Sequence, residues 1–123
     1  MTSLENLEKV AQNSLSALDE ITLVGNNYEV TSSVNMIDLP GHTPGHMGVR
    51  VENSGKSIII CGDALKNPFL DVKKPNWFDV NDMDGEMTVI TKKKILEESF
   101  SAQSLLLAFH FSFPGVGQID KLG

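Results

Sequence analysis

Two imidazoles, two glycines and a proline fall within Gly41-His42-Thr43-Pro44-Gly45-His46. Glycine and proline punctuate a chain, so this segment lies where the backbone leaves a regular element and bends. The same residues rule out one arrangement: with Pro44 and Gly45 between them, His42 and His46 cannot be the i,i+4 pair of a zinc-binding helix. Two later segments have the same character, Gly62-Asp63-Ala64 and His110-Phe111-Ser112-Phe113-Pro114-Gly115. What joins the first two is informative. Met47-Gly48-Val49-Arg50-Val51 alternates in polarity as a half-buried strand does. Glu52-Asn53-Ser54-Gly55-Lys56 reads as a hairpin turn, and Ser57-Ile58-Ile59-Ile60-Cys61 returns as a more deeply buried strand. An out-and-back excursion of this kind brings His42 and Asp63 to the same end of one sheet.

The rest of the chain supplies a scaffold for that sheet. Leu4, Leu7, Ala11, Leu15 and Leu18 recur every three or four residues, which predicts an amphipathic helix packing one face on the sheet, with Thr2 and Glu5 as a capping box. Gly25-Asn26-Asn27 is a turn cluster, and Tyr28-Glu29-Val30 and Val34-Asn35-Met36-Ile37 read as short strands. Residues 66–78 hold Pro68 and Pro75 and are expected to form a long loop, whose Trp77 and Phe78 either line a substrate pocket or cover the core. Asn81, Asp82 and Asp84 offer caps for a helix over residues 86–100. Its apolar residues fall on two sides, so it is expected to be covered on both; Lys92-Lys93-Lys94 reads as a solvated face. Ser104-Leu105-Leu106-Leu107-Ala108-Phe109 is a run of buried-strand type leading directly to His110, after which Pro114-Gly115-Val116-Gly117 turns the chain away.

Charge and composition exclude several classes of function. Ten basic against sixteen acidic residues argue against nucleic acid, whose binding needs basic surface. No apolar run approaches the roughly 20 residues needed to cross a bilayer, and the start lacks the basic and apolar regions of a signal peptide. Cys61 is the single cysteine, so no internal disulfide forms; a reducing, cytoplasmic setting is expected.

All three histidines and Asp63 sit at strand ends or turns, which is a poor match to chance. We therefore expect His42, Asp63 and His110 to converge at one edge of the sheet as part of a metal site. Neutral imidazole and carboxylate suit zinc, and also iron or manganese. The absence of cysteine beside the histidines argues against a structural zinc knuckle. Of His42 and His46, one is expected to ligate while the other holds the turn by hydrogen bonds. Cys61 points to the same face as Asp63 and is read as a small buried hydrophobe.

Taken together, Gly41-His42-Thr43-Pro44-Gly45-His46, Gly62-Asp63-Ala64 and His110-Phe111-Ser112-Phe113-Pro114-Gly115-Val116-Gly117 resemble the metallo-β-lactamase-fold hydrolases. Pro75-Asn76-Trp77 and Asp82-Met83-Asp84 look like a branch with lactonase-like and organophosphate-hydrolase-like members. The resemblance implies an α/β fold of α+β type: half of an αββα sandwich, a mixed, mostly antiparallel sheet with helices on one face. It implies two metal ions, with His42 on the first, Asp63 bridging both, His110 on the second and His46 supporting the site without ligating. The implied activity is hydrolysis of an ester, lactone, amide or phosphoester by metal-bound hydroxide.

The resemblance also implies what is missing. The His-x-His-x-Asp-His motif that supplies the family's other ligands is absent, so residues 1–123 are expected to be a single partial domain, the C-terminal half of the fold. Each ion would keep two protein ligands, below the three usual for catalytic zinc, unless all three groups close on one ion as a 2-His-1-carboxylate face. Partial or absent metal occupancy and little activity are expected of the chain alone. The alternative is a non-catalytic remnant or interaction module. A half-sandwich leaves one sheet face apolar, which predicts a homodimer, sheet against sheet, or a complementing N-terminal half.

Overall fold

The computed structural model describes residues 3–121. The expected capping partner Thr2 lies outside the described residues. In chain order the elements are α1 (Ser3–Ser16), β1 (Glu29–Thr31), β2 (Val34–Asp38), β3 (Met47–Asn53), β4 (Lys56–Ile60), a 3-10 turn (Gly62–Ala64), α2 (Pro68–Lys73), α3 (Gly85–Ser101), β5 (Leu105–Leu107) and β6 (Val116–Gln118). The six strands form one sheet in sequence order. All neighbours are antiparallel except β4 and β5, which run parallel because α3 intervenes as the crossover.

The period of two sorts the strands onto two faces. Ile37 lies across from Gly48 and Ile59 across from Leu106 on one face, and all four are buried. There they meet Ile95 and Leu96 of α3, with Leu39, Cys61, Ala64, Leu65, Ala108 and Ile119 completing the core. Arg50 is on this face too, and its guanidinium reaches Glu98 of α3 at 2.8 Å. The opposite face carries Val34, Met36, Val49, Val51, Ile58, Ile60, Leu105 and Leu107, and none of these is buried. It is an apolar face that no layer covers among the described residues.

Several expectations change. Helix α1 forms, but residues 4–23 are exposed throughout, Leu7 to 68% and Leu4 to 61%. Its apolar stripe does not pack on the sheet. Periodicity reports that a helix has an apolar face, and the surface that covers it need not belong to the same chain. Residues 66–78 are not one long loop, because they contain α2. The Asn67 side chain accepts hydrogen bonds from the N–H groups of Phe69 and Leu70, and Pro68 opens the helix. Six residues are too few for a hydrophobic period to show. The buried positions of α3 are Thr88, Thr91, Lys92, Ile95, Leu96 and Ser99, a single stripe at helical spacing, so the helix is covered on one side only. Lys92 belongs to that stripe and is not part of a solvated face; only Lys93 and Lys94 are exposed. After Pro114 the chain does not leave the sheet but returns as β6, pairing Leu105 with Gln118 and Leu107 with Val116. Among the described residues no helix is long and apolar enough to cross a membrane.

Candidate metal centre

The residues singled out in the sequence meet at the ends of β3, β4 and β5. Leu39 to His46 forms a closed loop: the Leu39 N–H donates to the His46 carbonyl, and the N–H groups of Gly41 and His46 both donate to the Thr43 carbonyl. The loop is docked against the start of α3. Asp84 and Met83 donate their N–H groups to the carbonyls of Gly41 and His42, and the Thr91 hydroxyl donates to the Pro40 carbonyl at 2.6 Å. Gly41 runs at φ +133°, and a Cβ there would collide with Thr88, so the first glycine of the motif is required by contact with the helix.

His46 has no free ring nitrogen. Its Nδ1 lies 2.9 Å from the Leu39 carbonyl oxygen and so carries the proton, while Nε2 accepts from the Asp63 N–H at 3.1 Å. It therefore pins the 3-10 turn that carries Asp63. Of the pair, His46 holds the turn by hydrogen bonds, and His42 is the one that turns a ring nitrogen toward the Asp63 carboxylate.

Asp63 is the meeting point. Its Oδ2 stands 3.4 Å from His42 Nε2 and its Oδ1 2.8 Å from His110 Nε2. The His110 turn is held by bonds from the Ala108 N–H to the Gly115 carbonyl and from the Phe111 N–H to the Ala108 carbonyl. The two imidazoles address opposite oxygens of one carboxylate. The three side chains thus do not close on one point as a 2-His-1-carboxylate face, and among the described residues no group of three or more His, Cys, Asp or Glu is arranged to hold a metal ion.

On its other side His42 contacts Asp82, expected from the sequence as a candidate cap and as part of the Asp82-Met83-Asp84 element, but not as a partner of the histidine. Its Nδ1 is 3.0 Å from Asp82 Oδ1. Asp82 also receives the Lys66 ammonium at 2.6 Å on Oδ1 and the Asp79 N–H at 2.9 Å on Oδ2. Its side chain is 2% exposed. Burial by itself would raise the Asp82 pKa, but the hydrogen bonds from Lys66, the Asp79 backbone and His42 outweigh it, and the carboxyl is held below its ordinary value. The cap of α3 is Asp84, whose side chain accepts from the Met87 N–H. One helix has one N-cap, so three polar candidates before it left two for other work; that was the available signal.

Trp77 and Phe78 are both more than half exposed. They line a cavity together with Asp63, Lys66 and Asp82, beside the carboxylate and not over the core. The Phe78 ring lies against Gly85, where no Cβ would fit.

The donor chemistry tests the fit to a metal. A single proton on His42 Nδ1, toward Asp82, would leave the Nε2 lone pair facing a carboxylate oxygen at 3.4 Å. Two acceptors so placed repel unless a cation lies between them. Imidazole and carboxylate suit zinc, iron or manganese. By residue type these are donors such an ion would accept, and Asp63 has one imidazole at each of its carboxylate oxygens.

No protein-family model matches the chain, and no curated protein sequence matches it. Solved structures do. The chain is similar to AidC, a dizinc quorum-quenching lactonase solved in complex with a product (TM-score 0.80, 22% identity, 89% of this chain and 38% of that one). It is similar to the hydrolase AbOPH of the β-lactamase superfamily (TM-score 0.73, 24% identity, 89% and 36%). It is also similar to a probable metal-dependent hydrolase from Staphylococcus aureus (TM-score 0.66, 21% identity, 81% and 38%). The likeness is one of fold: a half of the metallo-β-lactamase architecture, consistent with its C-terminal half. The chain spans 36–38% of the length of these three structures.

Proposed function

We propose that this chain carries part of a two-metal hydrolytic centre, with Asp63 bridging two ions, His42 on one and His110 on the other. The observation that supports it is the carboxylate of Asp63 facing one imidazole Nε2 at each oxygen, 3.4 and 2.8 Å away. The fold of the similar metal-dependent hydrolases points the same way, and zinc is the first choice of ion, with iron or manganese next. Such ions would polarise a carbonyl or phosphoryl oxygen and activate water, which suits hydrolysis of an ester, lactone, amide or phosphoester. The chain's own residues do the positioning. His46 and Gly62 aim Asp63, and Lys66, Trp77 and Phe78 line the cavity a substrate would enter beside it.

Two protein donors per ion fall short of the three that catalytic zinc sites hold. The chain alone is therefore expected to bind zinc weakly and to turn over little. Elemental analysis after equilibration with zinc, with Asp63→Ala as the control, tests this. Zinc retained by the parent chain and lost in Asp63→Ala supports the centre, and equal retention overturns it. Fast hydrolysis of a lactone or phosphotriester, abolished in Asp63→Ala, would overturn the incompleteness.

The bare sheet face favours a second reading, that of a non-catalytic module whose role is association. Its occupant is proposed to be a second copy of this chain, related by a two-fold axis, because an aliphatic face is complementary to itself. Six strands about 4.8 Å apart, rising about 3.3 Å per residue, make a footprint on the order of 400 Å². That footprint is about half of the roughly 800 Å² per partner of a standard interface, so an association through it would lie among the smaller ones. A complementing N-terminal half is the competing occupant.

A further inference from the structure

Asp82 lies outside the set of side chains that meet at Asp63, yet it makes the shorter of the two contacts to His42. The distances are 3.0 Å from His42 Nδ1 to Asp82 Oδ1 and 3.4 Å from Nε2 to Asp63 Oδ2. A neutral imidazole has one N–H, and it can serve only one of these carboxylates. The other hydrogen bonds to the Asp82 carboxylate are donated to it, by the Lys66 ammonium at 2.6 Å and the Asp79 N–H at 2.9 Å. The carboxylate side chain is 2% exposed, and the third group within hydrogen-bond distance of it is the imidazole. The loop geometry agrees, since the backbone bonds from Met83 and Asp84 to His42 and Gly41 lock the Asp82 turn and the histidine loop together.

From this geometry we propose that Asp82 is a positioning residue for His42: it takes the Nδ1 proton, fixes the ring and leaves Nε2 unprotonated toward Asp63, with Lys66 as the counter-charge that keeps Asp82 an acceptor. The inference rests on the metal reading above for its purpose, but not for its test. Outer partners of this kind commonly change metal affinity by about 10- to 100-fold when lost.

The test uses the full chain free of metal. Long-range proton–nitrogen NMR correlations report which ring nitrogen carries the proton. At mildly alkaline pH, His42 is expected as the Nδ1–H tautomer in the parent chain and as the Nε2–H form, the one favoured in free imidazole side chains, in Asp82→Ala. Asp82→Asn keeps an oxygen acceptor and is expected to retain the parent tautomer in part; it also serves if Asp82→Ala does not fold. His46, whose partners are untouched, is the internal control. An Nε2–H form in the parent chain, or no change in either variant, overturns the proposal. A second arm measures zinc against a competing chromophoric chelator, with Asp82→Ala expected to bind 10- to 100-fold more weakly. A parent chain that binds no zinc at all while the tautomers behave as expected would sink the metal centre and leave the role of Asp82 standing.

Discussion

At Gly62 the backbone runs at φ +51°, and a Cβ there would stand 2.8 Å from His46 Nε2. The residue is thus constrained twice, by its conformation and by the imidazole that holds Asp63. Gly62→Ala is expected to lower stability by about 1–3 kcal/mol, read as an earlier urea midpoint, and to break the bond from the Asp63 N–H to His46. Cys61, next to it, is fully buried and its thiol donates to the Leu107 carbonyl at 3.2 Å. Desolvation pushes its pKa from 9.0 up to about 11, against the opposing pull of its backbone hydrogen bond. A raised thiol pKa leaves stability intact below about pH 9; between pH 9 and 11 the unfolded chain ionises and the folded one does not, so stability falls by about 2–3 kcal/mol. Urea melts at pH 8 and pH 11 check the sign. At pH 8 a thiol reagent is expected to leave Cys61 unmodified until the chain is unfolded.

Among the elements, α2 and α3 are tied by a buried ion pair. The Lys92 ammonium donates to Asp71 Oδ1 at 2.5 Å and to the Trp77 carbonyl at 2.9 Å, while Asp71 Oδ2 accepts the N–H groups of Lys66 and Asn67. One pair thereby sets the position of the whole segment that lines the cavity. Asp71→Ala strands a buried ammonium and is expected to cost about 3–5 kcal/mol by denaturant melting. The double variant Asp71→Leu with Lys92→Met removes both charges and is expected to recover much of that loss, though not the two backbone bonds to Asp71. Asn67→Ala removes the α2 cap and is expected to cost about 1 kcal/mol.

For the whole molecule, the layer of Val34, Met36, Val49, Val51, Ile58, Ile60, Leu105 and Leu107 and the exposed stripe of α1 are two apolar surfaces without partners among the described residues. Such surfaces on one small chain are where association is expected. Light scattering at micromolar concentration is expected to return a dimer. Val49→Lys with Ile60→Glu, in the middle of the bare face, is expected to return a monomer with unchanged far-ultraviolet circular dichroism. A monodisperse monomer in the parent chain would remove the self-association reading. Dimers that survive both charges would remove the sheet face as the interface.

The sequence by itself determined whatever depends on neighbours along the chain. Alternation and turn chemistry predicted the β3–β4 hairpin, and the hairpin explains why His42 and Asp63 share one edge. Glycine and proline marked the bends from which His42, Asp63 and His110 project. The tertiary structure decided what depends on partners distant in sequence. Lys92 looked solvated because a lysine run resembles a charged surface, and only Asp71, 21 residues earlier, makes its burial tolerable. Asp82 looked like a cap because its pairing with His42 spans 40 residues and leaves no periodic trace. The stripe of α1 promised a contact inside the chain that three-dimensional packing did not supply. Period and propensity are properties of a segment, whereas burial and charge pairing are properties of the space around it.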